Sequence, residues 1–432
     1  MLVKNGKFLG KYNFAWAVMV ACCILQAFGM GLIMNCGSLF YVPVCNDLGF
    51  LRAEISTYMT GYFVGNTIMM PIAGHILSHY DMRKVMAVAV VGLGVDIALM
   101  STYNVILQWQ IAGFFVGVFG AFIFVLPAAS LTGSWFIKHR GLVYGIVMAS
   151  SGVSAAIFSQ VINYIITTAG WRNAYLFVGI AAIVFILPCC VFFYNKPEKI
   201  GAVPYGYEEK MAEGDTTHMQ GVSVKNALMS FSFVCLFLFA GIASFCHGGV
   251  NQHTPAFIQS VGFSSAFAAT IVSAESVGSV FDKLIMGYLN DKIGVKWTAV
   301  MQFVIIIIGV LGFIFIHEPY VLIVCAILLG IQDSLMSVSL PMLIRSVFGN
   351  SNYTQIHAWI RCGVGIFGSF SGVLVGWVYD VSGSYLPAFY LMLAVCVLGI
   401  VTIFGAYWGS KRLKWEHVDP VYAPMVSEKT EN

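Results

Sequence analysis

Charged side chains are scarce in this chain of 432 residues, at 9% of the total, whereas hydrophobic residues make up 59%. A soluble domain carries about 25% charged and about 45–50% apolar residues. The composition therefore excludes an ordinary soluble domain. The mean hydropathy of +0.85 indicates instead a chain that lies in a lipid bilayer.

Several motifs of catalysis and ligand binding are also absent from the sequence. It has no glycine-rich phosphate loop, no His or Cys set at metal-ligand spacing and no nucleophile elbow. We therefore expect neither an enzyme nor an ATP-driven pump, and no metal or cofactor. The net charge of +3 comes from dispersed basic residues and gives no reason to expect nucleic-acid binding. The eleven cysteines lie mostly in apolar runs, where we interpret them as small hydrophobes.

Long apolar segments, by contrast, fill most of the chain. A membrane-spanning helix needs about 20 mostly apolar residues, and the short stretches of alternating polarity typical of a β-barrel are absent. We therefore predict an all-α integral membrane protein with twelve transmembrane helices. The twelve segments are Ala15–Phe40, Ile55–Leu77, Val85–Thr102, Ile106–Leu131, Leu142–Ile166, Ala174–Phe193, Phe231–Phe257, Ala266–Leu289, Thr298–Ile316, Val321–Val347, Ala358–Val378 and Leu386–Trp408.

Lysine and arginine are distributed unevenly between the two sides of the predicted membrane. If both termini are cytoplasmic, 18 of the 22 basic residues lie on the inner side, and the outer loops keep only Arg52 and Arg172. Cytoplasmic loops carry an excess of Lys and Arg. We therefore predict a multi-pass protein of the cell membrane with its N- and C-termini in the cytoplasm.

A polar stretch, Asn195–Lys225, follows the sixth segment and contains nine charges. A connection this long is usually a linker or a functional segment. We predict a bundle of six helices over residues 1–194, a cytoplasmic central loop over 195–226, a second six-helix bundle over 227–410 and a cytoplasmic tail over 411–432.

The two halves of the chain repeat a short pattern that begins with glycine and ends in basic residues. The pattern runs over Gly74–Lys84 and again over Gly287–Lys296. It resembles the loop motif of the major facilitator superfamily, Gly-x-x-x-Asp-Arg/Lys-x-Gly-x-Arg/Lys, and the first copy departs from it at Ser78 and Asp81. The resemblance implies two pseudo-symmetric six-helix bundles, the major facilitator fold, and a gating role for this loop. The candidate gating residues are Gly74, Arg83, Gly287, Asp291, Lys292 and Gly294.

Three further segments resemble the monocarboxylate and oxalate–formate branch of that superfamily. Trp135–Gly145 looks like the branch's Trp-Phe-x-x-x-Arg-Gly motif between helices four and five. Pro197–Gly206 looks like the segment after helix six, and Val378–Tyr385 looks like the end of helix eleven. The resemblance implies a secondary transporter of small organic anions.

Two cations, Lys283 and Arg361, lie inside apolar segments. A charge at bilayer depth costs about 2.5–3.5 kcal/mol on insertion scales, so it usually faces a partner, a cavity or a ligand. The resemblance places both residues at positions where the branch has substrate-binding cations, with Lys and Arg exchanged. It therefore implies that Lys283 and Arg361 bind a carboxylate. A structural ion pair or a snorkelling side chain is the alternative.

Four side chains are candidates for carrying a proton or forming an ion pair, namely Asp333, Asp282, Glu275 and His253. A buried carboxylate responds to both desolvation and neighbouring cations, so Asp333 could hold a proton or pair with Arg361. Histidine changes its charge near neutral pH. Structural pairing or packing is the alternative for all four residues.

The remaining positions expected around the substrate hold Asn35, Ser151 and Ser337 rather than tyrosines. This favours a larger or more hydroxylated carboxylate over a very small dianion. We predict a monomeric transporter of mono- or dicarboxylates, surrounded by lipid, that works by alternating access as a proton symporter or an anion exchanger. One alternative is an exporter of drugs or organic cations, for which Asp333 rather than Arg361 would be essential. Another is a carboxylate sensor that does not transport.

The predicted topology can be tested with single cysteines introduced into the central loop. We expect a cysteine in the Lys210→Cys variant to react only with thiol reagents that reach the cytoplasmic side, because the loop lies where basic residues are enriched. Labelling of that cysteine by a membrane-impermeant reagent added outside intact cells would contradict the topology.

Overall fold

The computed structural model of the chain describes residues 3–4, 7–8, 12–207, 209, 220–316 and 318–417. Within these residues the chain forms twelve long helices, and each predicted segment coincides with one of them. The helices are α1 (Phe14–Leu48), α2 (Arg52–His79), α3 (Met82–Thr102), α4 (Ile106–Trp135), α5 (Arg140–Ala169), α6 (Trp171–Phe192), α7 (Phe231–Ser260), α8 (Ser265–Ile293), α9 (Val295–Phe315), α10 (Pro319–Phe348), α11 (Tyr353–Ser382) and α12 (Leu386–Ser410).

Ten of these helices are both long enough and apolar enough to cross a membrane, counted over the described residues. The other two, α2 and α8, have 28 and 29 residues and exceed the required length, which is about 20 residues. Their composition is more polar, and α8 contains Glu275, Asp282 and Lys283. Lys283 therefore lies on one of the two least apolar helices.

Three of the long helices are interrupted. α1 changes to a π-helix over Gln26–Asn35 and continues through Gly37–Phe40 into Tyr41–Leu48. α4 is broken between Ile123 and Leu126. α10 comprises Pro319–Leu329, Gln332–Ser334, a π-helix over Leu335–Ser339, and Leu340–Phe348. Irregular backbone of this kind often marks functional positions in helices and frees carbonyl groups for other partners.

Local sequence determines where several helices begin. The Asn13 side chain accepts a 3.0 Å hydrogen bond from the backbone N–H of Ala15 at the start of α1. The Ser264 hydroxyl accepts a 3.2 Å bond from Phe267 at the start of α8. Such N-caps satisfy backbone donors that have no partner within the helix. Gly294, with φ +85°, supplies the turn between α8 and α9.

The remaining described elements are short. A helix spans Val224–Leu228 and a 3-10 turn spans Pro197–Ile200. Strands β1 (Val3–Lys4), β2 (Lys7–Phe8) and β3 (Tyr12–Asn13) form one antiparallel sheet, and β4 (Gln220–Gly221) pairs antiparallel with β5 (Glu416–His417).

The chain divides into two compact units. The first comprises Met1–Ser223 with Gly349–Trp359 and Trp415–Asn432, and the second comprises Val224–Phe348 with Ile360–Lys414. The first turns of α11 therefore belong to the first unit and the rest of that helix to the second. Residues 208 and 210–219 of the predicted central loop, and 418–432 of the predicted tail, lie outside the described residues.

In the first unit, α2 and α4 cross with their backbones in contact. A Cβ added to Gly65 would overlap the carbonyl oxygen of Phe114, and a Cβ added to Gly117 would overlap that of Tyr62. Small residues at such crossings allow transmembrane helices to approach closely. These glycines therefore fix the register of α2 against α4.

In the second unit, α8 and α10 repeat this crossing 213 residues further along the chain, from 65 to 278 and from 117 to 330. A Cβ on Gly278 would overlap the carbonyl oxygen of Ile327, and a Cβ on Gly330 would overlap that of Glu275. Because both the glycines and the carbonyls that they meet recur at one offset, the two crossings have the same register.

We expect the Gly278→Ala variant to lose about 1–3 kcal/mol of folding stability, because a methyl group there meets backbone rather than a movable side chain. The Gly376→Ala variant is the matched control, since the nearest atom to its new Cβ is the His253 Cε1 at 3.7 Å. Thermal unfolding in detergent measures both. Equal unfolding temperatures for the two variants would contradict the close crossing.

Candidate functional site

Lys283 on α8 forms an ion pair with Asp333 on α10, with 2.7 Å between Nζ and Oδ2. The Ser279 hydroxyl donates a second 2.7 Å hydrogen bond to the same carboxylate oxygen. The glycine crossing places these groups together, because Ser279 follows Gly278 and Asp333 lies three residues beyond Gly330. The structure thus gives Asp333 a partner on α8, where the sequence had suggested Arg361.

The pair is buried on the lysine side and more accessible on the aspartate side. Side-chain exposure is 6% for Lys283 and 23% for Asp333. His247 on α7 also lies near this carboxylate. Breaking a buried ion pair by removing one partner is costly because it leaves an uncompensated charge. The ion pair with Asp333 therefore offsets the cost of burying the lysine charge at this depth.

A second carboxylate, Asp282, lies beside this pair and faces Ser334 on α10. It is 3% exposed, and neither of its oxygens has a hydrogen-bond partner of ordinary geometry among the described residues. Ser334 is linked to α9, because the Gln302 side-chain amide donates to its hydroxyl. The Ser339 hydroxyl in turn donates to the Gln302 Oε1 at 2.6 Å.

Sequence reasoning did not identify Gln302 or Ser334 as part of this polar cluster. The available signal was a single amide side chain in the apolar run of α9, which by itself indicates no partner. Ser337, which was predicted, does lie here, and its hydroxyl donates a 2.8 Å bond to the backbone carbonyl of Asp333. That bond satisfies a carbonyl next to the π-helix of α10.

The first unit has no charge at the corresponding positions. With the offset of 213 residues, Lys283 corresponds to Met70, and residues 282 and 333 correspond to Met69 and Gly120. The α2–α4 crossing therefore packs with apolar side chains where the α8–α10 crossing has an ion pair. Two helices can therefore pack in this register without the charges, which supports a functional role for the charges of the α8–α10 crossing.

Arg361 lies on α11 in the second unit and is half-buried, and its Nε and Nη1 atoms are shielded from solvent. Its neighbours in the chain include Cys362 and Gly363. The Gly363 position has no room for a side chain, since a Cβ there would lie 2.6 Å from the carbonyl oxygen of Phe237 on α7. This close contact between α7 and α11 thus fixes the position of Arg361 relative to α7.

Asn35 and Ser151 lie together in the first unit, where α1 approaches α5. The Asn35 side-chain amide donates a 3.5 Å bond to the Ser151 backbone carbonyl, and the Ser151 hydroxyl donates at 2.8 Å to Met148 of its own helix. Ser154 also donates across the contact to the carbonyl of Ala27, at 2.9 Å. Both predicted residues therefore contribute to packing at the irregular part of α1.

Glu275 and His253 are the other two candidates for carrying a proton, and their surroundings differ from those of the Lys283–Asp333 ion pair. Glu275 is 5% exposed and faces Thr254 on α7. His253 lines a small pocket together with apolar side chains of α7, α11 and α12, and its ring lies 5.8 Å from that of Tyr385. These surroundings are consistent with packing roles.

The first copy of the loop motif is stabilised by charge. Arg83 donates to both carboxylate oxygens of Asp81, at 3.1 and 2.8 Å, and to the Tyr194 hydroxyl at 2.8 Å. These hydrogen bonds from the guanidinium hold the pKa of the Asp81 carboxyl below its ordinary value. Asp81, which departs from the family motif, thus acts locally as the N-cap of α3.

The second copy of the loop motif is more exposed. Asp291 and Lys292 are exposed at the end of α8, and the Lys292 ammonium lies 5.7 Å from the centre of the Tyr288 ring. Gly287 lies within the last turns of the helix. Gly294 is the one motif residue here with a left-handed backbone, a conformation that favours glycine.

Two of the segments that resemble the monocarboxylate branch contact each other. The backbone N–H of Tyr205 donates to the Trp135 carbonyl at 2.8 Å, and that of Ile137 donates to the Tyr205 carbonyl at 2.9 Å. The ring of Trp16 packs on the Tyr205 ring, with 5.4 Å between centroids. Gly206, at φ +85°, leaves no room for a Cβ against Lys138. The start of the central segment is thereby fixed to the α4–α5 connection.

Residues 19–281 and 236–420 of the chain match the family model described as the Major Facilitator Superfamily. The chain belongs to that superfamily. Among curated proteins it is 22% identical over 409 residues to Monocarboxylate transporter 12 of Xenopus laevis, an alignment that covers 88% of this chain and 85% of that protein. It is 21% identical over 382 residues to the probable sulfoacetate transporter SauU of Cupriavidus necator, covering 82% and 84%.

Among solved structures, the chain resembles the crystal structure of the E. coli fucose:proton symporter FucP. The TM-score is 0.66 at 11% sequence identity, and the match covers 91% of this chain and 98% of that one. The predicted major facilitator fold and the resemblance to the monocarboxylate branch are confirmed. The superfamily member described here is a multi-pass membrane transporter and not an enzyme.

Proposed function

We propose that this superfamily member is a secondary transporter of small organic carboxylates that works by alternating access. The observation that carries the proposal is the buried ion pair of Lys283 and Asp333, 2.7 Å apart, inside a helix crossing. The names of the relatives, which include monocarboxylate and sulfoacetate transporters, support an anionic substrate. The Lys and Arg distribution supports placing both termini in the cytoplasm of a cell.

Arg361 is the proposed primary ligand of the substrate carboxylate. A guanidinium can bind a carboxylate through two parallel hydrogen bonds, which is strong where water is excluded. Lys283 is held by Asp333 until a second anion competes for it. A monocarboxylate would need Arg361 alone, whereas a dicarboxylate would also engage Lys283. Asn35, Ser151 and Ser337 are proposed to contact uncharged parts of the substrate.

Asp333 is the proposed coupling residue. When it takes up a proton, it loses the charge that holds Lys283, and the ammonium group becomes available to an anion. For a dicarboxylate, one proton and the carboxylate that pairs with Lys283 then enter together, and the net charge of the helix crossing is unchanged. This favours proton symport, and exchange of one bound anion for another is the alternative. Asp282, His253 and Glu275 are the alternative candidates for carrying the proton.

The proposed domain organisation is the predicted one, with bundles over 1–194 and 227–410, a central loop over 195–226 and a tail over 411–432. The loop-motif residues described above are proposed to take part in gating. We propose a monomer as the working unit, since each chain carries both halves of the transporter.

The coupling proposal predicts that Asp333→Asn abolishes accumulation driven by a pH gradient but spares exchange of preloaded substrate. The amide mimics the protonated acid, so Lys283 stays free and no proton is carried. Uptake into proteoliposomes of labelled lactate, pyruvate, oxalate and sulfoacetate measures both activities. The matched control is Asp282→Asn, which removes the neighbouring carboxylate and leaves the Lys283 partner in place. Normal gradient-driven accumulation by Asp333→Asn would make Asp333 structural.

For Arg361 we expect the Ala variant to bind the best-transported carboxylate of that panel roughly 10–100-fold more weakly, because a hydrogen bond to a charged group contributes about 1.5–3 kcal/mol. Arg361→Lys should also be impaired, since it keeps the charge but loses the planar fork. Arg412→Ala, at an exposed arginine beyond α12, is the control. Wild-type affinity in a folded Arg361→Ala protein would contradict the anion-binding role.

A further inference from the structure

Three chain segments that are distant in sequence meet at one place in the first unit. Strand β4 pairs antiparallel with β5, so that Gly221 is opposite Glu416. Gly221 also forms an isolated antiparallel bridge with Gly349. We call residues 220–222, 349–352 and 416–417 the clip. It joins the chain just before α7, the connection between α10 and α11, and the chain just after α12.

The clip is tightly packed at its centre. Asn352 donates a 3.2 Å side-chain hydrogen bond to the Val222 carbonyl, and Val222 is fully buried. A Cβ added to Gly221 would overlap the Ser351 hydroxyl and lie 2.8 Å from the Ser351 backbone nitrogen. Only glycine therefore lets β4 lie against the α10–α11 connection at this distance.

The residues that follow the clip begin α11 and are seated on helices of the first unit. The hydroxyls of Thr354 and Ser130 on α4 are 2.7 Å apart and hydrogen-bonded. The backbone of α2 at Gly74 is so close to α11 that a Cβ there would overlap the Ala358 Cβ. A gating-motif glycine is thus in direct contact with the start of α11.

We propose that the clip is a strap that keeps the first turns of α11 seated on α2 and α4, and that its tail strand β5 is the releasable part. The Gly221 bridge and the Asn352 hydrogen bond hold the α10–α11 connection against the residues of β4 and Val222. Strand β5 also pairs with β4 and so helps to keep β4 in place. Strands of two residues carry few hydrogen bonds and belong to the least stable elements of a fold. Loss of β5 therefore loosens β4, then the connection, and then the seat of α11.

Because α11 carries Arg361 further along the same helix, release of its first turns changes which conformations the transporter visits. A strap of this kind sets an equilibrium between two states rather than the affinity of the anion site itself. It acts independently of the identity of the substrate, so the inference does not rest on the proposed carboxylate.

The experiment uses the Ser130→Cys/Thr354→Cys pair as a reporter of the seated state, since the two native hydroxyls are in contact and a disulfide needs Cβ atoms within about 3.5–4.5 Å. Native cysteines are mostly buried. Disulfide formation with copper phenanthroline, without substrate, is quantified by mass spectrometry of the linked peptides. We expect the disulfide between the cysteines at 130 and 354 to form at least threefold more slowly when residues 415–432 are removed. We expect the same slowing when the Gly221→Ala substitution is combined with the cysteine pair.

Gly37→Ala is the matched control, because a Cβ at Gly37 meets nothing within 4 Å, and its cross-linking rate should equal that of the parent. If the truncated protein is poorly folded by gel filtration, the Gly221→Ala rate decides the outcome. Parental cross-linking rates in Gly221→Ala, or in a well-folded truncation, would overturn the strap.

Discussion

The site in the second unit depends on backbone contact between α8 and α10 at Gly278 and Gly330. This contact brings Ser279, Lys283 and Asp333 within hydrogen-bond distance although they come from segments about fifty residues apart. A side chain at either glycine would overlap the backbone of the facing helix and would force the two helices that carry the ion pair apart. Van der Waals contact between small residues, and not the charges, is therefore what the arrangement requires first.

The comparison of the two crossings separates what the fold needs from what the activity needs. The first unit repeats the register of the second with methionine and glycine at the charged positions, and it still packs backbone against backbone. A buried ion pair is weak evidence for stability, since apolar replacements are often neutral or stabilising. The asymmetry between the two crossings therefore places the charges that the proposed function uses on α8 and α10.

Much of the fold could be predicted because hydrophobic length is a strong signal in membrane chains, and all twelve segments coincide with helices. The interruptions of α1, α4 and α10 could not be predicted, because π-helices and breaks depend on neighbouring helices that satisfy the freed backbone groups. For the site, sequence indicated Lys283 and Asp333 one at a time. Their pairing depends on the register of the glycine crossing. Gln302 and Ser334 could be assigned to the polar cluster only from the packing of α8, α9 and α10. The Asp81–Arg83 pair could not be predicted either, because Asp81 departs from the family motif and pairs instead with an arginine two residues further along.

The ion pair also has a consequence for how the chain is made. Lys283 leaves the ribosome fifty residues before Asp333, which at about 5–20 residues per second is roughly 3–10 s of synthesis. During that interval α8 has its lysine without the α10 carboxylate, and it is one of the two long helices that do not reach the apolarity of a membrane span over the described residues. We therefore expect α8 to insert more stably once α10 has been made than it would alone.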